Sequence, residues 1–184
     1  MIWLFWVIIA LVALVVIMFV AYFNKFVVLG NRIDNSLSQI DVQLKRRADL
    51  VPNLISTVKG YAKHEEKMIT KVTDARKALL GAKDIEAKVK AGNQLQTALK
   101  SIFALAESYP DLKANQNFLQ LQQELSAIED KVAYSRQFYN DSILDYNNSV
   151  EQFPGVLFAR IFGKGEKPHL KIAEEEKAVP KVEF

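Results

Sequence analysis

The hydrophobic positions of this chain fall into two regimes. From Met1 to Phe23 they are unbroken: MIWLFWVIIALVALVVIMFVAYF carries no charge, and the first strongly polar groups are Asn24 and Lys25. Beyond Gly30 they recur every three or four residues. An α-helix needs about 20 apolar residues, at about 1.5 Å each, to cross the hydrocarbon core of a bilayer. It also satisfies its own N–H and C=O groups there, where no water is available. Trp3, Phe5 and Trp6 at one end of the run, and Phe19, Tyr22 and Phe23 at the other, match the interfacial preference of aromatic rings. Residues 1–23 are therefore predicted to form a transmembrane helix. A cleavable leader would open with Lys or Arg and close on a small-x-small site. No Lys or Arg precedes Lys25, and Ala21-Tyr22-Phe23 is a poor cleavage site. Lys25 and Arg32 follow the run while only the α-amino group precedes it, so the positive-inside rule places the C-terminal bulk in the cytoplasm, with the anchor in the inner membrane.

The periodic regime reads as long helices. Ile33, Leu37, Ile40, Leu44, Ala48 and Val51 form one helical stripe. Pro52 interrupts it, yet Ile55, Val58, Ala62, Ile69, Val72 and Leu79 continue in phase. The spacing predicts one helix over about 31–80, kinked at Pro52, in preference to a hairpin. Gly81 suits a helix end and Asp84 an N-cap, giving a second helix over about 84–108 with Ile85, Val89, Leu95, Leu99 and Ile102. Pro110 and Asp111 suit the first turn of a third. That helix, 110–152, carries Phe118, Leu121, Leu125, Ile128, Val132, Ser135, Tyr139, Ile143, Tyr146 and Val150 at nearly heptad spacing. Pro154-Gly155 ends it. A short apolar segment, 154–162, either packs on the bundle end or touches lipid or a partner through Phe158 and Phe162, beside Arg160 and Lys164. The Gly-, Pro-, Lys- and Glu-rich tail 163–184 is expected to be a flexible segment or a docking tail. The fold class is all-α: an N-terminal transmembrane helix followed by an elongated antiparallel bundle of long helices, residues 24–162.

Composition adds mostly exclusions. The net charge of +3, from 24 basic and 21 acidic residues, gives no pull toward nucleic acid. There is no cysteine, hence no disulfide, thiolate chemistry, Cys-ligated zinc or acylated anchor. His64-Glu65-Glu66 opens like a zincin motif, but Met68 stands where the second His belongs, and His169 lies in the tail. Neither a phosphate-binding glycine loop nor a nucleophile elbow occurs. No metal, cofactor or catalytic residue is expected. An enzyme would need Glu65 or His64 in a deep cleft between helices. The densest basic cluster, Lys45-Arg46-Arg47, is either a solvated face paired with Asp41 and Asp49 or a patch for an acidic ligand.

The block Ile40-Asp41-Val42-Gln43-Leu44-Lys45-Arg46-Arg47-Ala48-Asp49-Leu50-Val51-Pro52-Asn53-Leu54, continuing through Val58-Lys59-Gly60-Tyr61-Ala62 and His64-Glu65, resembles the signature of the LemA family. Tyr109-Pro110-Asp111-Leu112-Lys113-Ala114-Asn115 with Phe118, Leu121, Gln122, Glu124 and Leu125 resembles its second block. Arg136, Tyr139-Asn140, Tyr146-Asn147 and Phe153-Pro154 resemble its third. The resemblance implies a bacterial single-span membrane protein with a helical up-and-down bundle, and it implies no activity. The expected function is that of a membrane-anchored scaffold that acts by interaction. Its expected partners are the lipid bilayer, further copies of itself as a homo-oligomer, and a protein not identified by the sequence. The alternative is a sensor or adaptor that takes an acidic ligand at Lys45–Arg47.

Overall fold

The computed structural model describes residues 2–62 and 65–170, and among them the fold is all-α. Six helices follow one another: α1 (Ile2–Tyr61), α2 (Glu66–Gly81), α3 (Ile85–Ala106), α4 (Pro110–Lys113), α5 (Gln116–Glu151) and α6 (Gly155–Ile161). The chain divides into two compact units. One holds the described residues of Ser36–Arg136, and the other those of Met1–Asn35 and Gln137–Phe184. Residues 171–184, where most of the flexible tail was expected, and His64 lie outside the described residues.

In the first of these units, polar contacts set the helix directions. Arg47 of α1 meets Glu129 of α5, and Tyr61 further along α1 meets Asn115 just before α5, so the two run antiparallel. Asp41 of α1 pairs with Lys88, and Leu44 lies against Gly92, so α1 and α3 run parallel. The result is an up-down-up-down bundle. Its core is formed by Ile40, Leu44, Ala48, Val51, Leu54 and Val58 of α1, with Val72 and Leu79 of α2, Leu95, Leu99 and Ile102 of α3, Leu112, and Phe118, Leu125 and Val132 of α5. The core takes Leu54 where the periodic reading has Ile55, a one-position rotation of the stripe. α1 and α3 approach closely at Gly92: a Cβ there would lie 2.7 Å from Leu44 Cδ2, so the end of the Leu44 side chain would have to shift.

The structure differs from the expected helix bounds at two places. The first long helix does not run to residue 80. α1 passes through Pro52, which is exposed, and ends at Tyr61 after Gly60, a poor helix former. The apolar stripe resumes in phase on α2 although α2 runs back along α1, as the contact of Arg76 with Ala48 shows. Shared phase therefore did not separate a kink from a hairpin. Likewise 110–152 is two helices. Asn115 accepts the N–H of Phe118 through its side chain at 3.0 Å and so starts α5 afresh after the short α4. The expected cap at Asp84 is present, accepting from the N–H of Ala87 at 2.8 Å.

Pro52 lacks the N–H that the carbonyl of Ala48, one turn earlier, would otherwise receive. Ala48 is fully buried, and an unmet carbonyl there would be costly. Arg76 of α2 donates its Nε–H to that oxygen at 2.8 Å. A side chain from the neighbouring helix thus completes the backbone that the proline left open. Arg76→Ala is expected to lower stability by about 1–3 kcal/mol, read by urea unfolding of the detergent-solubilised protein. In a Pro52→Ala background, which restores an N–H, most of that loss should disappear. Equal losses in both backgrounds would contradict the assignment.

Candidate functional site

The Lys45–Arg47 cluster is split by the helix that carries it. Lys45 and Arg46 are exposed, whereas Arg47 is 2% exposed and points into the Ser36–Arg136 unit. Its Nη1 donates to the carbonyl of Gly92 at 3.3 Å and its Nη2 to Glu129 Oε2 at 3.2 Å. Burial holds the guanidinium below its ordinary pKa, Glu129 opposes that shift, and the positive charge of Arg136 adds to it. The expected surface of three neighbouring cations is therefore two cations and an internal ion pair. The expected partner of Lys45 is also taken, since Asp41 binds Lys88 Nζ at 2.6 Å.

Arg47 and Glu129 line a cavity of about 300 Å³ with Lys100, Gln96, Gln122, Ser126 and the apolar Leu99, Phe103 and Leu125. The lining has one neutralised ion pair and a lysine, with amide, hydroxyl and apolar groups. Glu129 is the one carboxylate in this lining, and it is engaged with Arg47. Glu65 lies elsewhere, accepting the hydroxyl of Tyr109 at 3.1 Å, a bond that raises the tyrosine pKa. Glu151 is raised by its hydrogen bond to Glu166, but both carboxyls are exposed. Among the described residues no group of three or more His, Cys, Asp or Glu is placed to hold a metal.

The other unit contains two arrangements. Phe158 and Phe162, expected at an interaction surface, instead turn toward α1. Phe158 stacks on Tyr22 with centroids 5.0 Å apart, and Phe162 packs edge-on against Phe19 at 4.8 Å and Phe23 at 5.4 Å. Gly155 permits this approach, because a Cβ there would collide with the backbone oxygen of Ser149 and come within 3.1 Å of Tyr22.

In the second arrangement, the first residues of the expected tail dock on α5. Asn147 donates to the carbonyl of Lys167 at 2.9 Å and accepts its N–H at 2.9 Å. Asn140 does the same with Leu170, at 3.2 and 2.9 Å. Two side-chain amides on α5 thus clip an extended segment by its backbone alone. Seven residues of helix at about 1.5 Å match three of extended chain at about 3.3 Å, so both clips fit one path. The sequence signal was present in the repeated Tyr-Asn pairs at 139–140 and 146–147.

The LemA family model matches residues 36–184 of this chain. Protein LemA of Metamycoplasma hominis is 28% identical over 131 residues, covering 71% of this chain and 60% of that protein. Magnetosome protein MamQ of Magnetospirillum gryphiswaldense is 24% identical over 167 residues, covering 77% of this chain and 61% of that protein. Magnetosome protein MamQ 2 of Paramagnetospirillum magneticum is 24% identical over 169 residues, with the same two shares, 77% and 61%. The chain spans about three-fifths of the length of these curated relatives.

Removing Glu129 would leave the Arg47 charge buried without its counter-ion. Glu129→Ala is expected to cost about 2 kcal/mol in unfolding, whereas the double variant Lys45→Ala, Arg46→Ala stays within about 0.5 kcal/mol of the parent. A Glu129→Ala protein as stable as the double variant would show that the internal pair contributes nothing.

Proposed function

The chain belongs to the LemA family, and on that premise we propose that it is a membrane-anchored helical scaffold that acts by interaction and self-association rather than by catalysis. One observation carries this reading. The N-terminal part of α1 has a mean hydropathy of 3.2 over its most apolar window, long enough to cross a membrane, and none of that window is buried by protein. Side chains such as Ile2, Trp3, Trp6, Leu11, Val12, Val16 and Ile17 are all more than half exposed. So much apolar surface is stable only if lipid covers it. The charge asymmetry around Lys25 and Arg32 supports a cytoplasmic bundle at the inner membrane. Self-association is supported by the apolar face of the span, where helices meet by packing in lipid, and by exposed Val42, Leu119 and Tyr134 on the bundle. The alternative, an acidic ligand held at Lys45–Arg47, is weakened because Arg47 is engaged inside with Gly92 and Glu129.

Three results test this. The protein should stay with membranes through an alkaline carbonate wash, and a Val12→Lys, Val16→Lys variant should be released; release of the parent protein would remove the anchor. The chain has no cysteine, so a single Tyr134→Cys in an exposed position of α5 reports the side. It should react with an impermeant maleimide only after the cells are opened, and labelling of intact cells would reverse the orientation. Light scattering of the purified protein should give a mass above one chain, and a clean monomer would remove self-association.

A further inference from the structure

α6 has two apolar faces, and only one is covered. Phe158 and Phe162 pack on Phe19, Tyr22 and Phe23 of α1, and Phe162 also reaches Phe26 at 6.1 Å. That places α6 beside the last turn of the uncharged run, just before Lys25. Leu157 and Ile161, four residues apart on α6, are 51% and 67% exposed, and Phe153 in the preceding turn is 82% exposed. Exposed Arg160, Lys164 and Lys25 lie in the same stretch of this unit.

We propose that α6 docks on the surface of the bilayer that α1 crosses, with Leu157, Ile161 and Phe153 entering the boundary between headgroups and acyl chains. The inference rests on the anchor reading of α1. It commits to lipid as the occupant because the covered face of α6 is joined to the very turn of α1 that leaves the hydrocarbon. A side chain next to that turn stands at the depth where interfacial helices insert, about 5–10 Å into the headgroup and acyl boundary. Lys25, Arg160 and Lys164 suit anionic headgroups at the same level. The aromatic residues that the sequence marked, Phe158 and Phe162, are the hinge side of this contact, and their neighbours one position earlier, Leu157 and Ile161, are its lipid side. α1 and α6 together then hold the protein by a span and by a second, interfacial point in the same leaflet, which restrains rotation about the span.

The test uses the full-length protein, whose lack of cysteine permits single-site labelling. Leu157→Cys, Ile161→Cys, Val12→Cys and Leu144→Cys each carry an NBD fluorophore in vesicles of phosphatidylcholine and phosphatidylglycerol. Leu144 on α5 is the reference, exposed to the same 51% as Leu157. The labels at 157 and 161 should show blue-shifted emission that is lost with lipids doxyl-labelled near the headgroup. The label at 12 should be quenched by deep-labelled lipids, and that at 144 by neither. If 157 and 161 are as wet as 144 while 12 is quenched, the docking inference fails and the anchor stands. If 157 and 161 are blue-shifted without doxyl quenching, a protein surface covers α6 and the inference also fails. If 12 is not quenched, the anchor reading itself fails.

Discussion

α1 must satisfy its backbone over 60 residues, and most of the remaining structure follows from how it does so. In the uncharged run, beyond its first turn, the helix can close its hydrogen bonds on itself, which is the condition for lying in hydrocarbon. At Pro52 it cannot, and the carbonyl of Ala48 is met by Arg76 from α2. A helix interrupted at Pro52 would place Leu54 and Val58 on a different face, and both are fully buried with Val51 in one core. The arginine of a neighbouring helix thus meets the carbonyl that the proline leaves open, beside the stripe that Val51, Leu54 and Val58 bury.

The same device recurs at several other backbone groups. Arg47 gives a hydrogen bond to the carbonyl of Gly92, Asn115 accepts the N–H of Phe118 at the start of α5, and Asn140 and Asn147 close on both backbone groups of Leu170 and Lys167. Such bonds do not depend on the side chains of the segment they hold. They make the polar residues of the signature blocks structural in a specific sense, as caps and clips of main chain.

The apolar span, the stripe of α5 from Phe118 to Val150 and the cap at Asp84 were legible in the sequence because each depends on local pattern. The rest depends on neighbours in space. The end of α1 at Tyr61 was hidden because the apolar stripe resumes in phase on α2. The break before α5 was hidden because Asn115 reads as an ordinary polar residue until its side chain is seen on the N–H of Phe118. Arg47 is indistinguishable in sequence from Lys45 and Arg46, and only the position of Glu129 on another helix turns it inward. On α6, a shift of one residue exchanges the packed and the open face, and composition carries no information on which is which.

The central claim is that lipid, not protein, buries the beginning of α1. The only two tryptophans of the chain, Trp3 and Trp6, both lie there, so intrinsic tryptophan fluorescence reports on nothing else. With the unmodified protein in phosphatidylcholine and phosphatidylglycerol vesicles, the account predicts blue-shifted emission that brominated lipids quench and aqueous iodide does not. Red-shifted emission open to iodide and indifferent to brominated lipid would contradict it.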